Sequence, residues 1–145
     1  MGVLTDFVVA DLADAQKVCD TSCQYQGFAG FAGLDADGMD TVKLSSLHAI
    51  LNSEGISSSM HYTVCSGGEE GPWVFEVPPD LVQRLAALSV QQLEVVMPQW
   101  AATKEFSPEY DPWSLEEGQE VLNVLVPLCK RAVAQGKSVL MWMCL

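Results

Sequence analysis

Residues 114–145 read SLEEGQEVLNVLVPLCKRAVAQGKSVLMWMCL and predict a long helix followed by an interior strand. A Ser with a Glu three residues later is a capping-box pattern, which places the start of the helix at Ser114. Apolar residues then recur at helical spacing on more than one side, so we expect this helix at the centre of the fold, bent by Pro127. Gly136 is typical of a helix end, and the almost wholly apolar run 138–145 suits a buried strand.

The elements that precede this helix indicate an α+β fold. The β-branched, apolar segment 3–10 predicts a strand, and helical spacing follows from Leu12, whereas residues 21–40 are rich in Gly and Asp and predict a loop. The further predicted elements are a helix over 44–51, a β-hairpin with strands at 61–65 and 73–77, and helices over 81–88 and 93–100, the last kinked by Pro98. We therefore predict one α+β domain, 1–145, with a mixed or antiparallel sheet of about four strands, strands at both ends of the chain and about five helices.

The charge balance excludes several classes of partner. The chain has 19 acidic and 7 basic side chains, a net charge of -12, yet 49% of its residues are hydrophobic. This charge repels nucleic acid and anionic membranes, and no apolar run reaches the ~20 residues that cross a bilayer. Only 18% of the residues are charged, which indicates apolar surface and a homo-oligomer, most simply a dimer.

The cysteines indicate a reducing compartment. Five cysteines at irregular spacing do not form a disulfide framework, and the chain does not open with a secretory signal pattern. We expect reduced thiols in a soluble, cytoplasmic protein.

The segment 105–120 carries the strongest surface signal, because it interleaves carboxylates with aromatic rings and contains no basic residue. Such a segment can bind a basic protein partner, since charge steers the encounter and the rings supply buried area. The alternative is structural: glutamates favour a helix N-terminus, and the rings cover the core. We favour a non-catalytic interaction domain, of which a toxin-neutralising immunity protein is an example. The predicted partner-binding residues are Glu105, Phe106, Tyr110, Trp113, Glu116, Glu117 and Glu120.

A second hypothesis is a small hydrolase or transferase that uses Cys65 as the nucleophile and His48 as its base. The amides of 66–68 would then serve as oxyanion donors. His61 cannot replace His48, because four residues of one strand separate it from Cys65 by roughly 13 Å. A half-buried His48 without a catalytic role is the structural alternative.

A third hypothesis is an apolar ligand-binding domain with a cleft between the hairpin and the long helix. Its proposed lining consists of Trp73, Trp100, Trp113 and Trp142. The alternative is that these large rings pack in the core.

No metal or cofactor is predicted. Cys19 and Cys23 share a helix face, but no second close pair of Cys or His completes a tetrahedral zinc site. The sequence DADGMD at 35–40 has alternating oxygen ligands, but its spacing around Gly38 places Leu44 where a calcium loop needs its closing Glu. The glycines of 27–33 lack the spacing of a phosphate-binding loop.

Several segments together resemble a small bacterial family of uncharacterised, YfbM-like proteins. They are the Met-Gly opening strand, LSSLHAILN (44–52), EVPPDLVQRLAAL (76–88), WAATKEFSPEYDPW (100–113) and LCKRAVAQGKSVLMWM (128–143). The resemblance implies a compact α+β fold of unknown activity. It assigns no catalytic residue.

Overall fold

The protein, studied as a computed structural model, is described for residues 4–19, 32–35, 39–52, 63–69, 72–109 and 113–144. Within these ranges the chain forms one antiparallel sheet and five α-helices. The strands are β1 (Leu4–Ala10), β2 (Ala32–Asp35), β3 (Thr63–Ser66), β4 (Trp73–Glu76) and β5 (Ser138–Cys144). The helices are α1 (Ala15–Cys19), α2 (Thr41–Asn52), α3 (Pro79–Ala86), α4 (Val90–Ala101) and α5 (Leu115–Gln135).

The sheet has the strand order β2-β1-β5-β4-β3, with antiparallel pairing between all neighbours. The two predicted terminal strands, β1 and β5, therefore lie side by side near its centre. Phe7 pairs with Met141, and Trp142 pairs with Val74. Because successive side chains of a strand point to opposite faces, this register gives the sheet two apolar faces.

The two faces are covered unequally. Phe7, Val9, Val139 and Met141 pack in the larger core, together with buried residues of α2, α3, α4 and α5. The opposite face packs against α1 and forms a smaller cluster of Val8, Ala10, Ala15, Val18, Cys19, Val74, Leu140 and Trp142. The molecule is thus a sheet with four helices on one face and one described helix on the other.

The predicted central position of helix α5 is confirmed. The fully buried residues Leu122, Leu125 and Cys129 lie on one side of the helix and enter the larger core. The Ser114 hydroxyl accepts a hydrogen bond from the N–H of Glu117 at 3.2 Å, which caps the first turn. The helix ends at Gly136, whose φ of 65° is a left-handed conformation that glycine adopts without strain.

The predicted α+β class is confirmed, including strands towards both ends of the chain. The described sheet has five strands, one more than the predicted number, because β2 lies in the stretch 21–40 that we interpreted as a loop. Strand β2 pairs with β1 at the sheet edge, where Leu34 faces Phe7 across the two backbones. No helix in the described ranges has the length and apolar character needed to cross a membrane.

Candidate functional site

The two described aromatic residues of the segment 105–120, Phe106 and Trp113, turn inward. Phe106 is buried, and its ring lies edge-on to Trp100 and Trp113, with centroid distances of 5.0 and 5.8 Å. Lys43, whose side chain is 1% exposed, places its Nζ 4.9 Å from the centroid of the Trp113 ring and 3.4 Å from Asp40. These rings therefore hold the segment to α2 and α4. Tyr110 lies outside the described residues.

The three glutamates of this segment that lie on α5 face solvent. Glu116, Glu117 and Glu120 are exposed on the first two turns of α5, and we call these three residues the acidic stripe. Val124 follows Glu120 by one helical turn and is 45% exposed. In the described part of the chain, none of the three glutamates pairs with a basic side chain. Glu105, by comparison, is half-buried.

His48 is paired with a carboxylate in the structure. Its Nε2 lies 2.7 Å from Oδ2 of Asp80, at the N-terminus of α3, while the His48 side chain is only 1% exposed. Burial raises the pKa of Asp80, but the hydrogen bond and charge of His48, with two backbone N–H groups, leave that pKa below its ordinary value. The interaction therefore ties α2 to α3.

The structure does not bring Cys65 to His48. The Cys65 thiol donates to Oε1 of Gln16 at 3.2 Å and packs beside the smaller cluster, whereas α2 lies against the opposite face of the sheet. The proposed oxyanion donors are also engaged within the hairpin. The N–H of Gly67 donates to the carbonyl of Pro72 at 2.7 Å, and that of Gly68 donates to the Ser66 hydroxyl at 3.4 Å. This geometry does not support the Cys65 hypothesis.

The tryptophans do not line a common cleft, because they are divided between the two faces of the sheet. Trp100 is fully buried in the larger core, whereas Trp142 is buried in the smaller cluster. Trp73 and Trp113 are partly buried and pack against the larger core. The predicted Trp-lined site between the hairpin and the long helix therefore has to be corrected.

Two concave regions appear that the sequence did not reveal. A cavity of about 240 Å³ lies where the start of α3 meets the end of α5 and the start of β5. A wider groove of about 430 Å³ runs between the C-terminal part of α2, the end of α3 and α4. Both are formed by residues distant in sequence, so no local motif predicts them. The nearest sequence signal is the Gly136-Lys137-Ser138 turn, which places polar groups at the edge of the apolar cavity.

Only some of the residues considered as metal ligands lie within the described ranges. Cys23, the partner proposed for Cys19, and residues 36–38 of the acidic turn lie outside the described residues. Asp40 caps α2, since its Oδ1 accepts the N–H of Lys43 at 2.8 Å. Among the residues with a described position, no three His, Cys, Asp or Glu side chains are arranged to hold a metal ion.

Comparison with known proteins finds a similarity of structure but no match of sequence. No protein-family model matches the sequence, and no curated protein matches it significantly. The chain is similar to the crystal structure of YfbM, a protein of unknown function from Escherichia coli, the name that the sequence resemblance also gave. The two chains are 17% identical, and the match covers 97% of this chain and 99% of the other, with a TM-score of 0.46. It assigns no activity.

Proposed function

We propose that this protein is a non-catalytic interaction domain that binds a basic partner protein through the acidic stripe. The observation that carries the proposal is the arrangement of Glu116, Glu117 and Glu120, which are exposed together on two turns of one helix. Val124, one turn further, offers an apolar contact beside them. Carboxylates next to an apolar side chain suit a partner surface on which Lys or Arg surrounds an apolar residue.

The support beneath the stripe is rigid, which favours binding. The opposite side of α5 is fixed in the larger core by the fully buried Leu122, Leu125 and Cys129. Phe106 and Trp113 fill the space beside the first turn, so they position the stripe without themselves contacting the partner. A surface already held in its binding conformation loses less conformational entropy on association.

The net charge of the whole chain attracts a basic partner, as the acidic stripe does. A net charge of -12 accelerates the approach of a basic partner, and this long-range effect weakens as salt rises. Short-range pairs at the stripe then determine the orientation of the bound partner. The proposal therefore predicts binding that depends both on ionic strength and on these particular glutamates.

The test is charge reversal of the stripe. The immobilised domain is used to capture proteins from a lysate of the cells that produce it, and captured proteins are quantified by mass spectrometry at low and physiological salt. We expect the triple substitution Glu116→Lys, Glu117→Lys and Glu120→Lys to reduce capture of the basic partner by about tenfold or more, because attraction becomes repulsion.

A matched control carries the same change in net charge elsewhere. Glu69, Glu94 and Asp11 are also exposed, and their substitution by Lys leaves the stripe intact. Capture by this control should fall only modestly. An equal loss in both variants would mean that net charge alone attracts the partner, and unchanged capture by the stripe variant would contradict the proposed site.

We also propose that two copies of the chain associate in the cytoplasm through α4. Val90 and Val95 are 74% and 61% exposed, the two highest values among the exposed large hydrophobic residues described, and Val95 lines the groove between α2 and α4. Burial of this apolar surface favours a dimer. Of the described cysteines, Cys65 and Cys129 are free thiols, as suits a reducing compartment.

A further inference from the structure

The cavity at the end of α5 has an apolar floor made by three different elements. Val82 of α3, Ala132 of α5 and Val139 of β5 are each at most 5% exposed and line it together with Val77. Its volume of about 240 Å³ has room for about eight groups the size of a water molecule. A floor of this kind favours a small aliphatic group over a polar one.

The rim of the same cavity is polar and carries one positive charge. Gln83, Lys137 and Ser138 line it, and none of their side chains is engaged in a hydrogen bond with the rest of the described chain. The backbone N–H of Lys137 already donates to the carbonyl of Ala132 at 2.9 Å, which fixes the turn after Gly136. The Lys137 ammonium and the Gln83 amide are thus the side-chain groups that remain to bind a ligand.

The apolar floor and the positively charged rim of the cavity together indicate the chemistry of the ligand. An ammonium with a neighbouring amide donor is complementary to a carboxylate, because charge-assisted hydrogen bonds are stronger than neutral ones. A cationic ligand would be repelled by Lys137, and an uncharged alkane would leave these donors unused. We propose that this cavity binds a small aliphatic monocarboxylate, with its carboxylate at Lys137 and Gln83 and its alkyl chain on Val82, Ala132 and Val139.

The site is separate from the acidic stripe, which occupies the other end of α5. The experiment is a titration of the full-length, isotope-labelled protein with sodium hexanoate, whose size matches the cavity, followed by NMR of the backbone amides and valine methyl groups. We expect saturable shifts at Val82, Val133 and Val139. We expect 1-hexanol, which has the same chain without the charge, to bind about tenfold more weakly.

Substitutions distinguish a charge-specific site from apolar adsorption. Lys137→Ala should weaken hexanoate binding by about tenfold, whereas Lys137→Arg should restore it. Lys130→Ala is the matched control, because Lys130 is exposed on α5, seven residues before Lys137, and does not line the cavity. Val133→Trp changes a rim residue that is 48% exposed, so it should abolish binding by closing the cavity without altering the core.

Three results would overturn the proposal. Shifts that do not saturate, or that persist in the Val133→Trp variant, would show that hexanoate does not occupy the cavity. Equal affinities for hexanoate and 1-hexanol would remove the carboxylate from the proposed chemistry. Equal losses in the Lys137→Ala and Lys130→Ala variants would reduce the role of Lys137 to a general effect of charge.

Discussion

At the scale of a single residue, the exposed carboxylate of Asp80 forms a hydrogen bond with the buried imidazole of His48. The charge of Asp80 therefore affects the stability of the fold. The pKa of Asp80 in the folded protein lies below its ordinary value of 3.8. Folding therefore favours the ionised form, so the stabilisation is present above the ordinary pKa and is lost as the pH falls through the folded-state pKa. We expect Asp80→Asn to destabilise the protein at neutral pH by about 1 kcal/mol, a value reduced for the exposure of the carboxylate.

Urea unfolding of wild type and Asp80→Asn across the acidic range measures this effect. The difference in the free energy of unfolding should shrink below the ordinary pKa of the carboxyl. Asp11→Asn is the control, because the Asp11 side chain is exposed and makes no capping hydrogen bond. A difference for Asp80→Asn that stays constant down to strongly acidic pH would rule out the ionised carboxylate of Asp80 as its source.

The thiols give a second prediction at the residue scale. Burial raises the pKa of Cys129 to about 12, so at alkaline pH below 9 its thiolate fraction is about a thousandfold smaller than that of a thiol with the reference value of 9.0. We expect a thiol reagent to modify the half-buried Cys65 in the folded protein and Cys129 only after unfolding. Mass spectrometry of the labelled peptides measures both rates. A Cys65 that reacts faster in the folded protein than in urea would revive the enzymatic hypothesis.

At the scale of elements, Ser89 caps α4, which borders the groove, and Ser114 caps α5, which carries the acidic stripe. The Ser89 hydroxyl accepts the N–H of Gln92 at 3.1 Å, and the Gln92 side chain accepts the N–H of Ser89 at 2.9 Å. We expect Ser89→Ala to lower the free energy of unfolding by about 1 kcal/mol and Ser89→Thr to retain most of it. Denaturant unfolding checks both. Equal stability of the alanine and threonine variants with wild type would show that the cap contributes nothing.

These same elements show what the sequence could and could not predict. The start of α5 at Ser114 and its end at Gly136 depend on local contacts, so the sequence alone located them. Strand β2 is short and contains Gly33 and Asp35, and it forms by pairing with β1, which local spacing cannot report. The same holds for the inward turn of Phe106 and for the separation of His48 from Cys65, because both follow from the packing of distant elements.

At the scale of the whole molecule, the acidic stripe and the two most exposed large apolar side chains of the described residues lie on different helices. The acidic stripe lies on the first turns of α5, whereas Val90 and Val95 lie on α4 beside the groove. This separation is compatible with the proposal that one chain binds a basic partner and a second copy of itself at the same time. The low charged fraction of the sequence predicted apolar surface, but only the fold shows that its two most exposed described residues, Val90 and Val95, lie on α4.

Self-association through α4 is tested by native mass spectrometry and sedimentation of the full chain. We expect a dimer at micromolar concentration, and we expect Val95→Glu to weaken it by about tenfold or more, because the dimer would bury an unpaired carboxylate. Val42→Glu is the control, since Val42 is 43% exposed on α2 and does not line the groove. A wild-type monomer, or equal dissociation of both variants, would exclude α4 as the interface. If Val95→Glu alone dissociates the dimer, the apolar surface of α4 is the cause of assembly, because both substitutions add the same charge.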